Sequence, residues 1–162
     1  MLRLDSTTDP IHDAEKLRKW RYGRIVMRGG AFVEVQRRLT CGSVSMAQVW
    51  WQAKYGRNDD DVCWIDYHQP LGMRSFLTLD YIRAGTLAGY KSFIGACNVL
   101  DEVARIRGAN AIVAHVSNGN ISDRLLTRLG WERHLLSWKG RHWIRRFYDG
   151  YPPSTLHRYA NV

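Results

Sequence analysis

The fold is decided by one stretch of the sequence, Phe76-Leu77-Thr78-Leu79-Asp80-Tyr81-Ile82-Arg83-Ala84-Gly85-Thr86-Leu87-Ala88-Gly89. Its first half, up to Ile82, is rich in apolar and aromatic residues and predicts a strand. Its second half, from Arg83 to Gly89, carries two glycines and predicts a loop. Beyond the loop, apolar residues recur at steps of three and four, which predicts a long amphipathic helix that Gly108 can end: Phe93, Ala96, Cys97, Leu100, Val103 and Ala104.

Another strand and a short helix are predicted downstream. Ala111–Val116 is mostly apolar, as expected for a strand buried on both faces. Asn120 provides a helix cap, Asp123 places a negative charge in the first turn, and the helix closes at Leu129-Gly130. Two further strands, joined at Lys139-Gly140, are predicted over Glu132–Trp138 and Arg141–Phe147.

The N-terminal half predicts further helices and strands around a glycine turn. Asp9-Pro10 is typical of a helix start, and that helix is expected to end near Tyr22-Gly23. Gly29-Gly30 predicts a hairpin turn, because glycine readily adopts positive φ. The remaining predicted elements are strands over Arg24–Met27, Phe32–Val35 and Val62–Tyr67 and a helix over Ser43–Tyr55.

Length and composition predict one domain. A chain of 162 residues, 45% of them hydrophobic and 24% charged, is long enough for a single core. We expect the domain to cover residues 1–150, with a tail over 151–162 that begins at Tyr151-Pro152-Pro153. The formal net charge of +9 favours anionic partners such as nucleotides, nucleic acid or acidic lipids.

Cysteine usage and the apolar runs exclude several classes of protein. The three cysteines, Cys41, Cys63 and Cys97, form no Cys-x-x-Cys spacing and no metal-binding pattern, and Cys97 falls on the apolar stripe of the long helix. The N-terminal segment lacks the unbroken apolar run of a signal peptide, and no stretch approaches the ~18 apolar residues of a membrane span. The sequence therefore predicts a cytoplasmic protein with no metal site and no membrane partner.

The order of elements over residues 76–148 resembles the second half of the fold of the GNAT superfamily of N-acetyltransferases. The clearest likeness is in Asn118-Gly119-Asn120-Ile121-Ser122-Asp123-Arg124-Leu125-Leu126-Thr127-Arg128-Leu129-Gly130-Trp131, whose last three residues stand where the family usually has Leu-Gly-Phe. The resemblance implies a single α/β domain with a mixed, mostly antiparallel central sheet flanked by helices. It also implies an N-acyltransferase that moves an acetyl group from acetyl-CoA to an amine.

The loop after the first strand resembles the family's phosphate-binding pattern, which is Gln or Arg, two residues, Gly, one residue, then Gly or Ala. The segment Arg83-Ala84-Gly85-Thr86-Leu87-Ala88 matches the first and last positions, with Thr86 at the middle glycine. The resemblance implies that backbone N–H groups of this loop and of Gly89, at the start of the helix, bind the CoA pyrophosphate.

The resemblance also implies a gap for the pantetheine arm of CoA. The strands Phe76–Ile82 and Ala111–Val116 would splay apart, and backbone groups near Leu79 and Tyr81 would pair with the pantetheine amides. Asn118 or Asn120 would bond the cofactor, the alternative for Asn120 being a helix cap alone.

Asp80 is the candidate general base, because an amine acceptor must lose a proton near neutral pH and a carboxylate could take it through water. The alternative is a strand-end surface carboxylate with no chemical role, and Asp66 and Glu34 are weaker candidates. In many family members a tyrosine protonates the leaving thiolate, but alignment places Leu126 at that position. His115, on an apolar strand, is expected to be a core histidine.

The alternative function is a catalytically inactive GNAT-like module that binds nucleic acid or protein. Between Arg128 and Arg146 lie six cationic side chains against one carboxylate, Glu132. They alternate with Trp131, Trp138, Trp143 and Phe147, a composition typical of surfaces for single-stranded nucleic acid. Strand alternation would instead bury one side of this set and leave an ordinary basic face. The sequence leaves the oligomeric state open, and exposed tryptophans would be compatible with a homodimer.

Overall fold

The computed structural model describes residues 5–39, 61–84, 89–116 and 121–160. The helices in these ranges are α1 (Ala14–Lys19), α2 (Tyr90–Arg107) and α3 (Asp123–Arg128), and a 3₁₀ turn covers Leu156–Tyr159. The strands are β1 (Ser6–Thr7), β2 (Tyr22–Arg28), β3 (Ala31–Arg38), β4 (Val62–His68), β5 (Phe76–Ala84), β6 (Ala111–His115), β7 (Glu132–Arg133) and β8 (His142–Arg146). The predicted helix over Ser43–Tyr55 lies outside the described residues.

These strands form one sheet in the order β1-β3-β2-β4-β5-β6-β8-β7. Strands β5 and β6 are parallel, while every other described neighbour pair is antiparallel. Because a parallel pair needs a crossover connection, α2 carries the chain from the end of β5 back to the start of β6. The expected fold class, a mixed and mostly antiparallel sheet flanked by helices, is confirmed.

Helix α2 covers one face of the sheet against β2, β3 and β4, and α1 packs beside it. The apolar stripe predicted for the long helix is buried, including Cys97, and the helix ends at Gly108 as expected. Arg107, in the last turn, donates hydrogen bonds to the carbonyl oxygens of Leu17 and Trp20 at 2.6 and 2.7 Å. Those bonds satisfy carbonyls at the end of α1 and fix α1 against α2. Of the helices that are described, none is long and apolar enough to cross a membrane.

The predicted hairpin between β2 and β3 is confirmed. Gly29 and Gly30 have φ values of +57° and +80°, as a two-residue turn requires. The backbone N–H of Gly30 donates to the buried hydroxyl of Ser92 at 2.9 Å. The hairpin is therefore anchored at the first turn of α2.

The first helix is shorter than predicted. Asp9 accepts a hydrogen bond from the His12 backbone N–H at 3.0 Å, which closes a turn, and the helix begins only at Ala14. Its predicted end is also wrong, because Tyr22 and Gly23 pair with both neighbouring strands and open β2. The bond from the His12 N–H to the Asp9 side chain thus stabilises a turn, and the residues directly after Asp9 are not helical.

The C-terminal strand hairpin is also shorter than predicted. The strand expected over Glu132–Trp138 ends at Arg133. Leu135 has a φ of +51°, and the Trp138 N–H donates to the Leu135 carbonyl at 2.8 Å, so the chain turns before it can extend the strand.

The cap of α3 differs from the prediction, and the chain after residue 150 packs against α2. The helix is capped by Ser122, whose hydroxyl accepts from the Leu125 N–H at 3.1 Å, while Asn120 lies outside the described residues. The Tyr151 hydroxyl donates to the carbonyl of Ala109 at 2.7 Å. Tyr159 is buried as well, and its ring lies against Gly95.

A buried ion pair joins β2 to β4. Arg24 and Asp66 are paired residues in the two strands, and they are only 8% and 3% exposed. The guanidinium donates to both carboxylate oxygens, at 2.6 and 2.8 Å, and lies 4.8 Å from the ring centre of Trp64. Such a two-pronged bond fixes the relative position of the strands, since both atoms of the carboxylate are engaged.

Replacing Asp66 by Asn is expected to lower the free energy of unfolding by about 3 kcal/mol, because Arg24 then remains buried beside an uncharged partner. The measurement is urea unfolding at pH 7. Glu15→Gln is the control, since Glu15 pairs with Arg18 at an exposed position and should cost less than about 1 kcal/mol. Equal losses in the two variants would contradict this account.

Candidate functional site

Strand β5 has one residue more than its neighbour β4 can pair. Tyr67 pairs with Leu79 and Asp66 pairs with Tyr81, so Asp80 is left between them as a β-bulge. A bulge bends its strand and changes the direction in which the side chains at the bulge point. The candidate base of the sequence analysis is thus the bulged residue itself.

The parallel ladder between β5 and β6 ends at the same point. Its last pair is Leu79 with Ala114, although β5 continues to Ala84. Beyond that pair a cavity of about 240 Å³ opens, with Leu79 to Ile82 on one side and His115, Val116 and Ile121 on the other. The family resemblance implies that these two strands part, and their pairing does end at Leu79. Its volume lies below the roughly 300–1,000 Å³ of pockets for drug-sized ligands, so it suits a narrow arm rather than a whole nucleotide.

Titratable side chains form a row across one face of the sheet at this gap. Thr78 pairs with His68 on β4 and with Val113 on β6. His115 follows Val113 by two residues and therefore lies on the same face. Asp80 is placed on this face by its contact with His68. The row consists, in sheet order, of His68, Asp80, His115 and His142.

Asp80 is bonded to His68. Both carboxylate oxygens lie within 2.8 Å of His68 Nδ1, which donates because a carboxylate only accepts. Burial raises the pKa of the Asp80 carboxyl above its usual value, while the bond from His68 opposes that rise and Asp66 adds to it. His68 in turn stacks on Tyr22 with ring centres 5.5 Å apart. Asp80 is thus a partly buried carboxylate that accepts a hydrogen bond from the His68 ring.

His115 is exposed at the edge of the cavity, so the expectation of a core histidine is wrong. It is the last residue of β6, where the neighbouring β5 has already separated. Its ring stacks on that of His142, with centres 4.6 Å apart and planes inclined by 15°.

The other predicted cofactor residues are only partly described. Leu79 and Tyr81 lie at the cavity, and Gly89 is the exposed residue that precedes α2. The first turn of α2 holds no carboxylate, so its N-terminus keeps its affinity for anions. Arg83 lies 5.0 Å from the ring centre of Trp64, on the sheet. Ala84 ends β5, while Gly85, Thr86, Leu87, Ala88 and Asn118 lie outside the described residues.

The weaker candidates are engaged elsewhere. Asp66 is held by Arg24, and Glu34 accepts from Gln36 at 2.6 Å. Burial raises the pKa of the Cys63 thiol to about 11 and that of Cys97 well above its ordinary value, so neither is a nucleophile near neutral pH. Within the described ranges, no group of three or more His, Cys, Asp or Glu side chains could hold a metal ion.

The basic C-terminal segment uses its side chains internally. Arg141 binds Asp123, Arg146 binds Glu132 and Arg145 binds Asp101, at 2.5, 2.5 and 3.4 Å. Three of its aromatic side chains are buried: Trp131, Trp143 and Phe147. Trp138 is 60% exposed and stands edge-on to His142. This arrangement does not favour the alternative of a surface for single-stranded nucleic acid, which needs exposed aromatic rings for the bases to stack on.

Two features of the site were not predicted from the sequence: the contact of His68 with Asp80 and the exposure of His115. His68 ends the strand before the Gln69–Gly72 turn, so a hairpin with β5 should have suggested that it meets residues near Thr78. The bulge that brings Asp80 to His68 has no signal in β5 alone, since it arises from the pairing of two strands. For His115, the signal is its place at the end of an apolar run.

The Asp80 carboxyl is expected to titrate above its ordinary value of 3.8, because burial disfavours its charged form. His68→Gln should raise this pKa further, since the bond that favours the carboxylate becomes weaker. NMR titration of the labelled carboxyl carbon measures both values. A lower pKa in His68→Gln than in the parent protein would contradict the assignment.

Comparison with known proteins gives one weak likeness. No family model and no curated protein sequence matches the chain. Among solved structures the chain is similar to nourseothricin acetyltransferase, with 16% sequence identity, coverage of 89% of this chain and 98% of that chain, and a TM-score of 0.40.

Proposed function

We propose that this protein is a GNAT-like N-acyltransferase that transfers an acetyl group from acetyl-CoA to an amine. The observation that carries the proposal is the cavity between β5 and β6, which opens where their ladder ends and has a carboxylate on its wall. Two diverging parallel strands offer backbone N–H and C=O groups to a ligand with amide groups. Pantetheine is such a ligand, and it is slender enough for this gap.

The cofactor would run from the gap to the N-terminus of α2. The acetyl thioester would lie beside Asp80 and His115, and pantetheine would pair with the backbone of Leu79 and Tyr81. The pyrophosphate would then meet the loop from Arg83 to Gly89, where the helix dipole favours negative charge. The net charge of +9 supports binding of this polyanion.

Asp80 would act as the general base. The amine must lose its proton as it attacks the thioester carbon, and Asp80 faces the cavity with a pKa raised by burial. A carboxylate of raised pKa is a better base than an exposed one, since its proton affinity is closer to the operating pH. His68 supports this role by its bond to the carboxylate. A cytoplasmic location fits the proposal, because the described cysteines are unpaired and buried.

Acetyl-CoA should raise the melting temperature of the protein. A ligand at a hundred times its Kd stabilises the fold by about 2.7 kcal/mol, which is about 5–10 °C for a domain of this size. Gly89→Glu should abolish the shift, because it puts a carboxylate at the anion-binding end of α2. Open space surrounds the position of a Cβ there, so the variant should fold.

Gly89→Gln is the matched control, with the same side-chain size and no charge, and it should keep most of the shift. Absence of a shift in the parent protein at millimolar acetyl-CoA would contradict the proposed function. Equal shifts in the two variants would place the pyrophosphate elsewhere.

Asp80→Asn should lower the rate of acetyl transfer by about 10²-fold or more, since the amide cannot accept the proton. The measurement is release of free CoA thiol from acetyl-CoA across a panel of primary amines. Binding of acetyl-CoA should be unchanged, because the cofactor meets the backbone rather than the Asp80 carboxylate. In the parent protein the rate should rise with pH as Asp80 loses its proton. Binding without turnover of any amine would instead support the inactive binding module.

A further inference from the structure

We propose that His115 is the catalytic acid that protonates the departing thiolate, and that His142 is its positioning residue. The inference rests on the proposed function and extends it to the second proton transfer of the reaction. A thioester releases its sulfur as a thiolate unless a proton reaches it, so an acid near the sulfur eases the cleavage. Leu126, at the position that sequence alignment suggested for an acid, is buried and has no proton to give.

The geometry places His115 opposite the base. Asp80 and His115 lie on the same face of two neighbouring strands, and both line the cavity. A thioester held in the gap would therefore have a carboxylate on the β5 side and an imidazole on the β6 side. Imidazole is suited to donate a proton near neutral pH, since its own charge changes in that range.

The proton transfers balance. The amine lone pair forms the new N–C bond, the C–S bond breaks, and its electron pair passes to sulfur. Asp80 takes the proton that leaves the nitrogen, directly or through water, and the His115 imidazolium gives one to sulfur. The products are the acetamide and the free thiol of CoA, after which solvent restores both side chains.

His142 positions the ring of His115 through a hydrogen bond of its own and a stacking contact. Its Nε2 lies 3.0 Å from the carbonyl oxygen of Lys139, which can only accept, so Nε2 carries a proton. That bond fixes the orientation of the His142 ring, and the His115 ring stacks on it with centres 4.6 Å apart, so His142 holds the His115 ring at the edge of the cavity.

The surroundings of the pair are shaped to hold these rings. A Cβ at Gly140 would come within 2.5 Å of His115 Nε2, and Gly140 has a φ of +101°, so the ring occupies space that only glycine leaves. Trp138 stands edge-on to His142 with ring centres 5.8 Å apart. The nearby Arg141 is bonded to Asp123, and Asp80 lines the same cavity as His115 from β5.

The test follows the thiol of bound CoA, which is the product and needs no amine. Its pKa is read by NMR from the methylene group beside the sulfur as pH is varied. In the parent protein the bound thiol should ionise about one unit below free CoA, because a ring N–H of His115 donates to the thiolate and favours its charged form. His115→Phe, which keeps an aromatic ring on His142 but cannot ionise, should return the value to that of free CoA. His142→Phe should give an intermediate value.

His134→Phe is the matched control and should leave the thiol pKa unchanged, since the bond of His134 to His142 runs through its backbone N–H. The same thiol pKa in the parent protein and in His115→Phe would overturn the inference while the proposed function stands. Loss of CoA binding in His115→Phe would also overturn it, by making His115 a binding residue. Failure of the parent protein to bind CoA would overturn both.

Discussion

The surplus residue in β5 is the constraint on which the site depends. Because Asp80 has no place in the ladder with β4, the strand bulges, and beyond Leu79 it no longer pairs with β6. The same displacement opens the cavity and brings the carboxylate to its wall. The parallel pairing before the bulge matters equally, because it fixes where the two strands begin to diverge.

The two faces of the sheet have different roles: one packs the apolar core, and the other carries the titratable side chains of the candidate site. One face packs on α2 and holds the apolar core, with the hairpin glycine Gly30 bonded to the first turn of that helix. The other face carries charged and titratable groups that a core could not accept unpaired. Arg24 and Asp66 bond each other there, and Asp80 bonds His68. A buried pair adds little net stability but is costly to break, so it holds β4 in place beside a strand that is open on its other side.

Periodicity predicted the elements whose structure is set within one segment. The apolar stripe of α2, the strand β6 and the glycine hairpin all have local causes, and each was predicted. The predictions that were wrong or missing concern features set by side-chain bonds, by unusual backbone conformations or by pairing with another strand. The Asp9 turn shortened α1, and the unusual backbone of Leu135 shortened β7. The bulge at Asp80 depends on the register of two strands and could not be deduced from local pattern. The exposure of His115 depends on where β5 departs, and its one local signal is its place at the end of an apolar run.

The most direct test of the central claim, that CoA binds between β5 and β6, is NMR mapping of CoA on the backbone amides. The account predicts that added CoA shifts the amide signals of Asp80, Tyr81 and Ile82 on one side and of Val116 on the other, together with Gly89 at the start of α2. Shifts confined to the basic segment from Glu132 to Arg146, or no shifts at millimolar CoA, would contradict it.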